Sequence, residues 1–179
     1  MSELNTSMEN EPVLFQGRIF KVVERKQIGR SGKTLVRQVV KHPGAVGIVP
    51  ILPDGRVLLI DQYRITFQRN IFEIPAGTRE IGEDPLITAK RELIEETGYR
   101  TDNIELLAPI YTSPGILQEE LVLYIATDLV EGETALEDGE KILPAPKTWD
   151  EIDKMIDARE IVDAKSLVGL LLAKRKLGI

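Results

Sequence analysis

The chain has 179 residues, 42% of them hydrophobic and 29% charged, a composition that suits one soluble globular domain with at most a short flanking arm. Its net charge of −6 argues against stable nucleic-acid binding, which needs basic stripes, yet permits an anionic substrate if a metal ion supplies positive charge. The absence of cysteine and the single histidine, His42, exclude disulfides, thiol catalysis and multi-histidine metal centres.

Residues 1–12 read as a flexible tail. Met1 to Glu11 is polar and acidic with no apolar signal core, and no run of about 18 apolar residues occurs, so a cytoplasmic protein that makes no membrane contact is expected. Val13 to Gly17 leads into strand-like segments over Phe20–Ile28 and Thr34–Lys41, joined by the turn signal Gly29-Arg30-Ser31-Gly32-Lys33. Residues 13–43 are therefore expected to form an antiparallel N-terminal hairpin, followed by a main domain over 44–179. Val46–Leu52 and Arg56–Tyr63 read as a second hairpin around Pro53-Asp54-Gly55, and Ile71–Ile74 as a short strand ending at Pro75-Ala76-Gly77.

The strongest helix follows. Asp84 suits the N-cap, Pro85 the first helical position and Gly98 the residue just past the end. Leu86, Ala89 and Leu93 recur at helical spacing and are expected to face the core. Ile104–Tyr111 and Leu121–Thr127 are further strands, and residues 131–147, rich in Gly, Pro and acid, read as a loop. Thr148 and Glu151 form a capping-box signal for a helix to about Ala158. Asp163 opens a last helix with Leu167, Leu170 and Leu171 on its apolar face and Lys174, Arg175 and Lys176 near its end. Strands outnumber helices and cluster in hairpins, which gives an α+β class with a mixed sheet.

The first helix carries Glu92, Glu95 and Glu96 within an arc of roughly 100°, with Glu83 just ahead of it. A solvated acidic face is the plain reading, but it is a poor one for stability. Two carboxylates ~5 Å apart repel by about 3 kcal/mol at an effective dielectric of ~20. Lys90 and Arg91 are expected to point away from the Glu92/Glu96 edge. A divalent cation would remove the conflict, and Mg²⁺ takes one or two carboxylates together with water and substrate phosphate. Arg64 and Arg37 are candidates for phosphate or sugar contacts, since a guanidinium fork suits phosphate oxygens. Phe20, Tyr63 and Phe67 are candidates for base stacking, with packing as the plainer role for each.

Gly77, Glu83 and the run Arg91-Glu92-Leu93-Ile94-Glu95-Glu96-Thr97-Gly98-Tyr99, at five and seven intervening residues, resemble the signature of the Nudix hydrolase family. Tyr99 stands where the family prefers an aliphatic residue. The segments Gln62-Tyr63-Arg64, Phe72 to Gly77, Ser113-Pro114-Gly115 and Asp163-Ala164-Lys165 resemble the branch of ADP-ribose pyrophosphatases and nucleoside-diphosphate-sugar hydrolases.

The resemblance implies an α/β/α sandwich around a mixed β-sheet, and hydrolysis of the pyrophosphate bond of ADP-ribose or another nucleotide sugar with Mg²⁺, or alternatively Mn²⁺. It implies metal ligation by Glu92, Glu96, the Ala76 carbonyl and Glu95, with Glu95 also a candidate to position water and Arg91 orienting the glutamates. It further implies Glu119 as metal ligand or general base, with Glu120 or a box glutamate as the alternatives. Glu73 is a candidate to bond substrate or a metal-bound water. A homodimer joined through the N-terminal strands is expected. Two rivals stay open: a Nudix enzyme for dinucleoside polyphosphates or capped RNA, and an inactive nucleotide-sensing module.

Overall fold

The computed structural model describes residues 11–136 and 141–179, so the expected tail lies almost wholly outside the described residues. In chain order the first elements are β1 (Val13–Gln16), β2 (Lys21–Ile28), β3 (Thr34–Lys41), β4 (Ala45–Pro50), β5 (Val57–Arg64), β6 (Arg69–Glu73), β7 (Ala76–Thr78) and α1 (Pro85–Thr97). They are followed by β8 (Ile104–Ile110), β9 (Leu117–Gln118), β10 (Leu121–Ala126), β11 (Ile142–Lys147), α2 (Trp149–Asp157) and α3 (Ala164–Leu177). The chain divides into two compact units, one of residues up to Pro43 with Tyr111–Glu119, the other of Gly44–Ile110 with Glu120–Ile179.

The first unit is a sheet in the order β1-β2-β3-β9. The expected hairpin is present, with Lys21 opposite Lys41 and Ile28 opposite Thr34. Its turn closes on the hydrogen bond from Gly29 N–H to the Lys33 carbonyl, 2.8 Å. Glu11 pairs with both Arg25 and Lys41, which ties down the residues just before β1.

The second unit holds a mixed sheet, β7-β4-β10-β8, and an antiparallel one, β11-β5-β6. β4 runs parallel to β10, and both are apolar along their length and buried on both faces. Alternate residues therefore feed two cores. Val46, Ile48, Val122 and Tyr124 pack toward Ala89 and Leu93 of α1. Val49, Leu121, Leu123 and Ile125 pack toward Ile152 of α2 and Leu170 of α3. This is the expected α/β/α layering: one helix covers one face, two cover the other.

Four local expectations are corrected. The segments now called β4 and β5 do not form a hairpin: they share the isolated bridge Ile51–Val57 and then enter different sheets. The Pro53-Asp54-Gly55 turn exists, but a strand apolar on both faces is stabilised by neighbours on both edges, and β4 takes β7 and β10. Residues 131–147 are not all loop, because Ile142–Lys147 is strand β11, paired to β5. Pro144 and Pro146 are tolerated there since β11 is an edge strand with one unladdered side. Leu86 is 37% exposed, and the buried face of α1 is instead Thr88, Ala89, Glu92, Leu93, Glu96 and Thr97. Leu171 is likewise exposed, at 59%, and α3 buries Ser166, Gly169, Leu170 and Ala173.

Candidate active site

Helix α1 begins as its sequence dictates. Asp84 accepts from the Leu86 N–H at 2.8 Å, Pro85 opens the helix, and Gly98 closes it in the left-handed region at φ 76°. Because the buried face is turned toward Ala89 rather than Leu86, Glu92 and Glu96 lie inside it, 8% and 2% exposed. Strand β7 lies against this face. The Ala76 N–H donates to Glu96 Oε2 at 2.8 Å, and a Cβ placed on Gly77 would fall inside the Glu92 carboxylate. The glycine that opens the motif is thus required by close approach of backbone to a carboxylate.

Arg91 reaches across this cluster, contrary to the expectation that it points away. Its Nη1 donates to Glu92 Oε1 at 2.7 Å and to Glu95 Oε2 at 2.8 Å, and its Nη2 lies 3.5 Å from Glu83 Oε2. The length of the side chain explains this: a guanidinium spans to an adjacent residue and to i+4 at once. Lys90 does turn away, to Asp102 at 2.7 Å. Burial pulls the Arg91 pKa down, but Glu92, Glu83 and Glu95 outweigh it and raise the value. The Glu80 N–H holds Glu83 below the usual carboxylate range against a smaller opposing effect of burial.

Three carboxylates, Glu83, Glu92 and Glu95, thus gather around one guanidinium, and Glu96 is held by the Ala76 N–H. Among the described residues no three Asp, Glu or His side chains already converge as a metal cage. The donor set nevertheless fits a hard divalent cation, which needs only one or two carboxylates and a carbonyl beside water and substrate phosphate. The space that a Cβ at Gly77 would fill keeps the Glu92 carboxylate seated beside the backbone of β7.

A second charged group lies at the end of β6. Arg64 forms a two-pronged pair with Glu73, Nε to Oε1 at 2.7 Å and Nη2 to Oε2 at 2.6 Å. Lys165 of α3 also pairs with Glu73, and with Asp163 at 3.0 Å. Burial pushes the Glu73 carboxyl up, but Arg64 and Lys165 together hold it below its ordinary range. Hydrogen bonding to Glu73 raises Arg64, with burial opposing and Glu96 and Asp163 adding to the rise. Arg64, Arg69, Phe67, Glu73, Asp163 and Lys165 line a cleft of about 530 Å³. Arg69 stands directly opposite Arg64 in the β5–β6 ladder.

Tyr63, Arg37 and Glu119 each have surroundings of their own. Tyr63 projects from β5, 41% exposed, with Lys141 Nζ 5.8 Å from its ring centre. Arg37, on β3, and Glu119, just after β9, belong to the first unit. There Glu119 Oε1 lies 3.0 Å from His42 Nδ1, and its Oε2 accepts from Thr112 Oγ1 at 3.0 Å. The site described above is built from the second unit alone.

Sequence reasoning did not single out Ser166 or Arg69. Ser166 N–H and Oγ–H both donate to the capping Asp163, at 2.9 and 2.6 Å, while its Oγ accepts from the Ile74 N–H at 2.8 Å. The Asp163-x-x-Ser166 spacing signals the cap, but nothing in it signals the partner on another element.

The NUDIX domain model matches residues 41–168. The chain is 38% identical over 159 residues to the methanol dehydrogenase activator of Bacillus methanolicus, covering 88% of this chain and 86% of that one. It is 35% identical over 155 residues to the ADP-ribose pyrophosphatase of Bacillus subtilis (strain 168), covering 86% and 84%. A crystal structure titled as an ADP compounds hydrolase superposes with a TM-score of 0.81 at 22% identity, over 95% of this chain and 92% of that one, a likeness of fold.

Proposed function

Because the chain belongs to the NUDIX family, we propose that it hydrolyses the pyrophosphate bond of a nucleoside-diphosphate sugar, ADP-ribose first among them, to a nucleoside monophosphate and a sugar phosphate. The observation that carries this reading is the pair of buried carboxylates, Glu92 and Glu96, seated against the backbone of Gly77 and Ala76 and backed by Arg91. The relatives named ADP-ribose pyrophosphatase, in Bacillus subtilis and Mycobacterium tuberculosis, support the substrate class.

Glu92, Glu96 and the Ala76 carbonyl would hold a divalent cation, Mg²⁺ or Mn²⁺, which when bound supplies charge neutralisation at the diphosphate and a water of lowered pKa. Arg91 fixes the Glu92 and Glu95 carboxylates against one another. Glu95, the more exposed of the two, takes the proton of the attacking water. Arg64, whose fork is already set by Glu73, lines the cleft and would orient the substrate's anionic end.

The test is a panel of ADP-ribose, GDP-mannose, UDP-glucose, diadenosine polyphosphates and capped RNA with Mg²⁺, products separated by chromatography. Turnover confined to the last two overturns the substrate class. Glu96→Gln is expected to lower kcat by roughly 100-fold with the fold retained by circular dichroism. Near-normal turnover in that variant overturns the metal assignment.

The relative named methanol dehydrogenase activator supports a second reading, an effect of this chain on a dehydrogenase. Adding wild type and Glu96→Gln to a methanol dehydrogenase assay tests it, and stimulation by neither excludes it. The exposed Val13, Leu14, Phe15 and Phe20 of the first unit support a homodimer, tested by light scattering of the full chain.

A further inference from the structure

We infer that Ser166, at the start of α3, is a positioning residue for the Glu96 carboxylate, acting through the backbone of Ile74-Pro75-Ala76. The inference rests on the hydrolase reading above and adds to it a residue that touches neither substrate nor metal.

The connection is continuous. Ser166 is fully buried, and its Oγ accepts the Ile74 N–H at 2.8 Å. Its own hydroxyl proton is committed to Asp163, at 2.6 Å, so the oxygen is aimed at Ile74 by the same residue that caps the helix. Two residues on, the Ala76 N–H donates to Glu96 Oε2 at 2.8 Å. Between them stands Pro75, whose ring fixes φ and whose carbonyl accepts from the Ile48 N–H at 2.9 Å. A displacement at Ile74 is therefore passed to Ala76 with little room to dissipate.

The Ile74 side chain is seated as tightly as its amide. A Cβ on Gly169 of α3 would come within 3.0 Å of Ile74 Cδ1, and one on Gly47 of β4 within 3.1 Å. Two glycines on facing elements thus leave the space this isoleucine fills. The preceding residue, Glu73, is anchored to the same helix end through Lys165. Helix α3 therefore grips residues 73 and 74 by an ion pair, a hydrogen bond and a packing contact. The strand that leaves this grip delivers the amide that holds Glu96. Partners that orient a metal-binding carboxylate from outside commonly change affinity or activity by roughly 10- to 100-fold when removed.

The experiment uses the full chain and reads Mn²⁺ affinity, by the spin-resonance signal of free Mn²⁺, beside kcat and KM for ADP-ribose with Mg²⁺. Ser166→Ala removes the acceptor, and Ser166→Cys keeps the volume while weakening it. Ile152→Val, on the core face of α2, is the control for a matched loss of stability. Expected for Ser166→Ala are roughly 10-fold weaker Mn²⁺ binding and a similar fall in kcat, with KM within about twofold. Ser166→Cys should fall between it and wild type, and Ile152→Val should keep wild-type Mn²⁺ affinity. Wild-type Mn²⁺ affinity in both Ser166 variants, or equal weakening in the control, overturns the inference. If Ser166→Ala does not fold, the near-isosteric cysteine variant decides alone. A wild type that neither binds Mn²⁺ nor turns over any nucleotide of the panel overturns the hydrolase reading, and this inference with it.

Discussion

Gly77 shows how little freedom the glutamate cluster has at the level of single residues. A methyl group there would occupy the space of the Glu92 carboxylate. Gly77→Ala is therefore expected to fold, losing about 1–3 kcal/mol to overpacking, while kcat and Mn²⁺ affinity drop by roughly 10-fold or more. Thermal denaturation together with Mn²⁺ titration separates the two effects, and unchanged affinity would show that Glu92 needs no such seat. Glu73 gives a pH signature. Its carboxyl is held below its ordinary 4.5, since Arg64 and Lys165 outweigh the upward push of burial. A carboxyl depressed on folding contributes stability that is full above the unfolded value and is lost as pH falls through the lower, folded one. Urea midpoints of wild type should thus fall below about pH 4.5, and less steeply in Glu73→Gln, which at pH 7 is already weaker by roughly 3 kcal/mol because two cations lose their buried partner. Parallel pH curves for the two proteins would refute this. The glutamates were legible in the sequence because their spacing is fixed by one helix. The reach of Arg91 was not legible on the helix wheel, which projects where a side chain starts and not where a long one ends; only the family signature implied that it orients the glutamates. The hold of Ser166 on the Ile74 N–H was not legible, since that partner is 92 residues away in the chain.

At the level of elements, the helices were readable because each carries its own end signals. Thr148 and Glu151 exchange side-chain and backbone hydrogen bonds as a capping box needs no tertiary partner to do. Thr148→Ala should therefore cost about 1 kcal/mol, seen as a lower denaturation midpoint, with kcat and KM unchanged because α2 contributes no group to the site. A change in kcat would show that α2 bears on the catalytic face after all. The strands carry no comparable signal for their partners. The Pro53-Asp54-Gly55 turn announces a reversal of direction, and the chain does reverse there. Whether the two arms then pair depends on which other edges compete for them, and β4 pairs instead with the distant β7, as Gly47 with Ala76, and with β10, as Ala45 with Leu121. The prolines of β11 hid a strand for a related reason: an edge position, which makes them harmless, is a property of the finished sheet. On α1 the inward turn of Glu92 and Glu96 displaced the apparent apolar stripe from Leu86, so the functional residues themselves blurred the periodicity that locates a core.

For the whole molecule the acidic balance has one consequence that a single experiment can expose. The chain carries a net charge of −6, and part of that excess is concentrated on α1 and just before it, where Glu83, Glu92 and Glu95 gather around Arg91 and Glu96 is buried against Ala76. Carboxylates held together in this way raise the free energy of the native state, whereas in the unfolded chain they separate into water. A cation that binds only the folded arrangement must then stabilise it, by about 2.7 kcal/mol at a concentration 100 times its Kd. For a domain of this size that corresponds to a rise in Tm of roughly 5–10 °C. Titrating wild type with Mg²⁺ or Mn²⁺ should show that rise, saturating with concentration, and a chelator should reverse it. In Glu96→Gln the cluster has one charge fewer, so the metal-free Tm should equal or exceed that of wild type while the metal-induced rise largely disappears. The opposite signs of those two shifts separate a binding site from a generally damaged protein, which would lose Tm in both conditions. A wild-type Tm indifferent to both cations would mean that the cluster is neutralised from within, and the hydrolytic reading would lose its physical basis.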